Sequence, residues 1–357
     1  MDTAASTLTP SRPYFPALDG VRAWCVLLVM YDHVKAPGHT VSWIDGHLGV
    51  DVFFLLSGLL ITKMLLAERQ QTGHTDLVAF YFRRLVRIVP VYLVTLLIYV
   101  AVCHLPGQGL HWIQLRGGMP WFLTFLNEYA REPLGGNVFL HTWSLGIEEK
   151  FYLVWPFVFL AFARRNRMQS AFFALLAAAL VLTPFTGHPR NPTAYLGLMI
   201  GCLLAMATSG TFAPRLVTLA QKVPAIVALA LLIFGFLLVD YSRSLMFIFS
   251  SLAALFLLHL MVKPSWLSRF HSTKLMIWLG RRSYAMYLVH ILCLNVLESR
   301  VSISSGWGVI ALLLAAYFLA AVVAQLLYLL VERPTQRLGK VWLARRAQRV
   351  PAATTAS

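Results

Sequence analysis

The segment RAWCVLLVMYDHV sets Arg22 and His33 eleven residues apart in an otherwise apolar run. On a helix, eleven steps of about 100° end roughly 20° past three full turns, so the two side chains share a face and stand about 16 Å apart along the axis. They are expected to line one cavity at different depths. A histidine titrates near neutrality and takes a proton from a hydroxyl, which suits it as general base for acyl transfer to an alcohol. An arginine on the same face orients the acceptor and steadies negative charge in the transition state. Taken singly, an arginine at the end of a span is an interfacial anchor and a histidine within one a satisfied core residue about as often as either is functional. Together on one face they favour chemistry. Asp32 points about a quarter turn away and is not automatically their partner.

Further polar residues lie where an apolar helix makes them costly. GVDVFFLLSGLLIT carries Asp51, which on entering a span calls for a basic partner on a neighbouring helix and is a candidate substrate contact. The adjacent Ser57-Gly58 pair reads as a close-packing seam rather than a nucleophile. FYFRRLVRIVPVY brings Arg83, Arg84 and Arg87 to the start of a span. Helix anchoring is the common explanation of such a cluster. Arg84 and Arg87, three apart on one face, can instead grip the phosphates of a nucleotide-bearing donor from the cytoplasm, with Arg83 beside them. HTWSLGIEEKFYLVWP packs His141, Trp143, Ser144, Glu148, Glu149, Lys150 and Tyr152 into what is expected to be the external side of the bundle. Glu148 and Tyr152, four apart, share a face. This density favours a substrate-binding or structural network over an interfacial belt. Late in the chain, GRRSYAMYLVH spaces Tyr284, Tyr287 and His290 by three, a polar ridge facing the interior, although packing is the simplest role for His290.

The elements that must position these residues follow from composition. Of 357 residues 59% are hydrophobic and only 12% charged, whereas soluble domains carry about a quarter charged residues. Mean hydropathy is +0.70. The expected fold is all-α, a single polytopic bundle over 1–357 with a short tail at 1–17. Ten spans are centred roughly on residues 20–37, 49–68, 88–105, 147–163, 170–186, 193–208, 223–240, 244–262, 276–296 and 307–331. The apolar core PWFLTFL between the third and fourth is too short to cross and is expected to be re-entrant or interfacial. VERPTQRLGK is expected to end the last helix at Pro334 and lead into a basic cytoplasmic tail, 333–357. Placing the N-terminus inside puts 23 of the 30 lysines and arginines at inner ends and loops, which makes both termini cytoplasmic. The net charge of +16 therefore reports topology, not nucleic-acid binding. Four scattered cysteines, with no Cys or His at metal spacing, predict neither disulfide nor metal site.

Taken in order, LDGVRAWCVLLVMYDH, GVDVFFLLSGLLIT, FYFRRLVRIVPVY, TWSLGIEEKFYLVWP and GRRSYAMYLVH with the final VERP resemble the membrane acyltransferase-3 family of bacterial carbohydrate O-acyltransferases over nearly the whole chain. The resemblance implies transfer of an acyl group, usually acetyl from acetyl-CoA, to a sugar hydroxyl of a surface polysaccharide, lipid-linked intermediate or secreted glycoside, within the bacterial inner membrane. It implies His33 and Arg22 as the catalytic pair and Arg84 and Arg87 as the donor motif. Glu148, with Trp143 and Ser144, matches the family's tryptophan-to-glutamate segment. Acyl-CoA is then a donor substrate rather than a resident cofactor, and the other partners are a carbohydrate or glycoside acceptor and membrane lipid. Some members append an extracytoplasmic SGNH hydrolase-like domain, which is not expected here. A proton-coupled exporter of a sugar-containing compound is the rival reading, because intramembrane His, Asp and Glu also form proton relays. The paired, interrupted helices in two related halves that would mark one are not seen in the sequence.

Overall fold

A computed structural model describes residues 14–34, 45–130, 138–164, 192–209, 214–242, 245–301 and 305–349, with three isolated positions at 170, 174 and 178. The predicted span at 170–186 and the tails at 1–13 and 350–357 lie outside the described residues. Among the described residues the secondary structure is helical, without strands. The helices are α1 (Pro16–Asp32), α2 (His47–Thr72), α3 (Leu77–Cys103), α4 (Gly109–Leu123), α5 (Trp143–Arg164), α6 (Pro192–Ala207), α7 (Pro214–Lys222), α8 (Ala225–Tyr241), α9 (Met246–Val262), α10 (Trp266–His271), α11 (Lys274–Glu298), α12 (Gly306–Leu327) and α13 (Arg333–Arg349).

Helices form where apolar runs meet local start and stop chemistry. Pro16 opens α1 at a position where its missing N–H costs nothing. The Asp76 side chain caps α3 by accepting the Ala79 N–H at 3.0 Å. Gly73, at φ 74°, ends α2 in the left-handed region. Among the described residues, three helices are long and apolar enough to cross a membrane: His47–Thr72, Leu77–Cys103 and Gly306–Arg346. A fourth arises if Pro214–Lys222 and Ala225–Val239, bent by 104°, form one span. At about 1.5 Å per residue, the fifteen residues of α4 are too few to cross, as its sequence implied.

Glycines set the closest contacts. Along the α2–α6 seam a Cβ at Gly58 would overlap the Leu198 carbonyl oxygen, and one at Gly201 would overlap that of Leu55. The backbones therefore touch directly, as small residues permit between apolar helices. On the opposite side of the bundle a Cβ at Gly280 of α11 would overlap the Asp19 carbonyl of α1. Gly49 of α2, where a Cβ would overlap the Cys25 carbonyl of α1, links the two, so α1 and α2, which carry Arg22 and Ser57, are held in fixed relation to α11.

One expectation is corrected. Pro334 does not end the last helix: a π-helical turn, Tyr328–Glu332, carries α12 into α13, with Pro334 in its first turn. A π-turn shifts the hydrogen-bond register, so the carbonyl that the proline ring would strike need not point at it. The segment predicted as tail is helical to Arg349 and packs along α3. Thr335 donates to the Val86 carbonyl at 3.1 Å, Trp342 lies 4.1 Å from the Phe82 ring, and Arg346 pairs with Asp76.

Two predictions follow from this packing. Gly201→Val pushes a branched side chain into the α2 backbone, which cannot move without parting the seam, and should lower stability by at least about 1–3 kcal/mol, read as a fall in detergent-solubilised melting temperature. Burial alone raises the Asp76 carboxyl, but the hydrogen bonds from Arg346 and the Ala79 N–H outweigh it and hold the group below its usual range. A depressed folded-state value contributes stability above the unfolded value, and that contribution disappears as pH falls through the folded value. Limited proteolysis near Arg346 should therefore accelerate on acidification below about pH 4, and Asp76→Asn should make cleavage fast at neutral pH.

Candidate active site

A cavity of about 690 Å³, counting its solvent-open mouth, lies among α1, α2, α3, α5 and α11. Arg22 enters it from α1, Arg84 and Arg87 from α3, and Glu148 and Glu149 from α5. Three guanidinium groups against two carboxyl groups leave a positive excess in the cavity, because arginine stays charged. The rest of the wall is largely apolar, with Val50, Phe53 and Phe54 from α2 and Ile88 from α3.

A tight polar network holds the carboxylate side. Ser57 donates to Glu148 Oε1 at 2.7 Å, and the Tyr152 hydroxyl reaches Ser57 Oγ at 3.0 Å and Glu148 Oε2 at 3.3 Å. The Arg84 guanidinium lies 5.1 Å from the Tyr152 ring centroid, a cation–π contact. Two buried atoms of the wall are left over: Arg22 Nε and Glu149 Oε1 have no hydrogen-bond partner. Unsatisfied buried donors are rare in native proteins, and one on a guanidinium facing a basic cavity fits an anionic ligand.

Deeper in, Tyr287 closes the cavity. Its hydroxyl meets Ser144 Oγ at 2.8 Å and donates to the His141 carbonyl. Beyond this pair lies a histidine layer. The His290 ring stands edge-to-face on His33 and on His141, each with centroids 5.0 Å apart, and Tyr99 approaches His141 at 5.9 Å. One α11 turn separates the two levels, since Tyr284 and Tyr287 line the cavity while His290 does not.

The sequence-predicted residues are thus only partly gathered. Arg22, Arg84, Arg87, Glu148, Ser144, Tyr152 and Tyr284 meet at the cavity, where the Tyr284 hydroxyl donates to the Ile88 carbonyl at 3.1 Å. Arg83 lies elsewhere: one residue from Arg84 it turns about 100° off that face and pairs with Glu68 at 3.5 Å. His33 does not share the cavity with Arg22, because Tyr287 and Ser144 stand between the levels; it occupies the C-cap of α1. Its neighbour Asp32 pairs with His47 at 2.9 Å. Trp143 packs on Phe54 with centroids 6.1 Å apart, and Asp51 is buried in α2; neither lines the cavity.

The expectation that the Glu148 segment faces the far side from the arginines is also corrected, since Glu148 shares their cavity. The reason lies in the segment before it. Buried Asn127 donates to the Tyr92 hydroxyl at 2.9 Å and to Thr142 at 2.6 Å, and Phe125, at φ 56°, stacks on Tyr92 at 4.6 Å. Glu128 pairs with Lys150 and fills the notch left by Gly146. Asn127 and residues 139–142 are buried in the bundle, so α5 starts inside it and its second turn reaches the arginines.

Sequence reasoning missed Ser57, read as part of a seam. Gly58 does form the seam, and the serine one step round the helix faces the cavity. It also left Glu149 and His141 without roles. The visible signal for both was position: Glu149 beside Glu148 on a helix that the cavity wraps, and His141 just ahead of the same helix. Ser57→Ala should leave Glu148 short of a donor and Tyr152 with only its longer bond to Glu148, costing about 1–3 kcal/mol of stability. Thermal unfolding of the purified variant in detergent measures it.

Comparison with known proteins adds family evidence. The family model described as "Acyltransferase domain" matches residues 15–329. The chain is 29% identical over 363 residues to the O-acetyltransferase OatA of Staphylococcus aureus, covering 92% of this chain and 58% of that protein. It is 29% identical over 365 residues to the peptidoglycan O-acetyltransferase OatA of Listeria monocytogenes, covering 92% of this chain and 57% of that protein. The chain thus spans less than two thirds of the length of these curated relatives. No solved structure matches it.

Proposed function

Because the chain belongs to the acyltransferase-3 family, we propose that it is a membrane O-acyltransferase moving acetyl from acetyl-CoA to a hydroxyl of a carbohydrate. The observation that carries this reading is the basic cavity, in which the buried Arg22 Nε lacks a partner beside Arg84 and Arg87. Coenzyme A carries several phosphates on a flexible chain, and a cluster of guanidinium groups is suited to binding them. Arg84 and Arg87 hold phosphate, and Arg22, deeper on α1, meets charge closer to the thioester.

The reacting end of the donor then points toward Ser144 and Tyr287. His33 acts as general base on the acceptor hydroxyl, and Glu148, fixed by Ser57 and Tyr152, balances the arginines while the cavity is empty. In this reading the chain lies in the bacterial inner membrane with ten spans and both termini cytoplasmic, so that donor enters on the arginine side and acceptor on the histidine side. The acceptor class rests on the printed names of the relatives, one of which is a peptidoglycan O-acetyltransferase; a cell-wall or other surface glycan fits it.

With purified protein in nanodiscs, acetyl-CoA and a glycan acceptor, His33→Ala should lower kcat by about 10²–10⁴, the usual worth of a general base. Arg84→Ala and Arg87→Ala should raise the donor KM about tenfold or more and leave the acceptor KM alone, as loss of a charged hydrogen-bonding partner implies. Wild-type rates from folded His33→Ala protein would sink the base assignment, and an unchanged donor KM in both arginine variants would sink the phosphate site.

A further inference from the structure

Three histidines from three elements meet in the layer beyond Tyr287, and the backbone decides which nitrogen of each carries hydrogen. His33 Nδ1 lies 2.8 Å from the Val29 carbonyl, and His290 Nδ1 lies 2.5 Å from the Tyr287 carbonyl. His141 Nε2 lies 3.2 Å from the Leu288 carbonyl. A carbonyl oxygen only accepts, so each of these nitrogens is the one bearing N–H. The remaining nitrogens, His33 Nε2, His290 Nε2 and His141 Nδ1, are then lone pairs in the neutral rings. Those of His290 and His141 are buried with no hydrogen-bond partner. His290 is fully buried at 0% exposure, and His141 is at 8%.

Such an arrangement is costly unless it is used. Buried polar atoms are normally satisfied, and here two unsatisfied acceptors sit around a central ring that touches both others at 5.0 Å. The groups facing the layer are neutral in their usual states. Tyr99 and Cys103 come from α3, Tyr287 and Cys293 from α11, and Ser144 from α5 through its bond to Tyr287. The acidic group on α1, Asp32, is the exception: it pairs with His47 and also interacts electrostatically with the adjacent His33. A proton entering the layer therefore finds acceptors among the rings, with Asp32 as the nearby counter-charge at the His33 end. A second proton would place two positive rings in contact within an apolar bundle, where repulsion is poorly screened.

We propose that His33, His290 and His141 act as one buried base that binds a single proton, with His290 and His141 as positioning residues for His33. This rests on the acyl-transfer reading above. The acceptor oxygen attacks the thioester carbonyl carbon; the C–O bond forms and the C–S bond breaks. His33 Nε2 takes the acceptor's O–H proton, and the shared cluster keeps it until it passes to the coenzyme A thiolate sulfur, which leaves as the thiol. No other reactant is needed. The fixed tautomers keep the His33 Nε2 lone pair available, and a proton taken there can be shared with the neighbouring rings.

The experiment has two arms. Protein labelled with ¹⁵N-histidine in nanodiscs, titrated by NMR and assigned with single His variants, should show Nδ1–H tautomers at His33 and His290 and an Nε2–H tautomer at His141. The three rings together should take up one proton before any second. Three independent one-proton titrations, or different tautomers, overturn the proposal, and this arm needs no activity. In the second arm, His290→Gln and His141→Asn, checked for wild-type melting temperature, should lower kcat at least tenfold with donor KM within twofold. They should also move the acid limb of the pH–rate profile to lower pH. Should either replacement fail to fold, His290→Asn and His141→Gln take its place. Folded variants with the wild-type kcat and acid limb overturn the proposal. Wild-type protein with no acyl transfer at all sinks the acyl-transfer reading instead, and the NMR arm still decides whether the three rings share one proton.

Discussion

The structure depends on confining three guanidinium groups in an apolar bundle. Arg22, Arg84 and Arg87 come from two helices and meet at one cavity, where the low-dielectric surroundings make an unbalanced charge expensive. Glu148 and Glu149 offset part of it, and Glu148 is itself held by Ser57 and Tyr152. Each of those partners sits on a different turn of α2 or α5. The positions of both helices are therefore tied to the arginines, and the Trp155 hydrogen bond to Thr62 at 2.9 Å repeats that tie one turn further on. The offset is incomplete by construction. An empty site that is fully neutralised would have nothing to offer an anion, whereas one left wholly unbalanced would not stay closed.

Much of this was legible in the sequence, for a physical reason. Polar residues inside apolar runs are few, so their helical spacing carries information: Arg84 with Arg87, Glu148 with Tyr152, and Tyr284 with Tyr287 each share the face that their spacing implies. Helix positions were legible for the same reason, since an apolar run must be paired with a helical backbone in lipid. What the sequence could not convey was depth across helices. The Glu148 segment was placed opposite the arginines because a span was assumed to begin at a membrane boundary. The buried Asn127, Tyr92 and Thr142 network instead pulls the preceding segment inward and starts α5 inside the bundle. A tyrosine from α11 divides the space between Arg22 and His33, and no pattern within α1 encodes a residue contributed by another helix.

The C-terminal helix shows the same limit from the other side. A proline after an apolar run ordinarily marks a helix end, but the π-turn at Tyr328–Glu332 absorbs Pro334, and α13 continues along α3. Gly339 sits against Val86, on the turn of α3 that also carries Arg84 and Arg87. The basic residues of α13 thus read locally as a topology signal, while its inner face braces the helix that presents the arginines.

The division into two levels is what gives the arrangement its chemical logic. In the reaction proposed above a thioester and an acceptor alcohol meet, and excluding water at the reacting end strengthens the charge interactions there. Tyr287, bonded to both Ser144 and the His141 carbonyl, separates the arginine cavity from the histidine layer without a thick wall, since a single α11 turn of about 5.4 Å spans the two. On the function proposed above, a narrow septum of this kind would let a two-carbon acyl group reach the base while the bulk of its carrier stays among the arginines. It also places the site of proton removal next to the site of bond exchange. On that reading the phenolic ring is the point at which donor side and acceptor side are coupled, and its two hydrogen bonds tie that point to both α5 and the turn that carries His141.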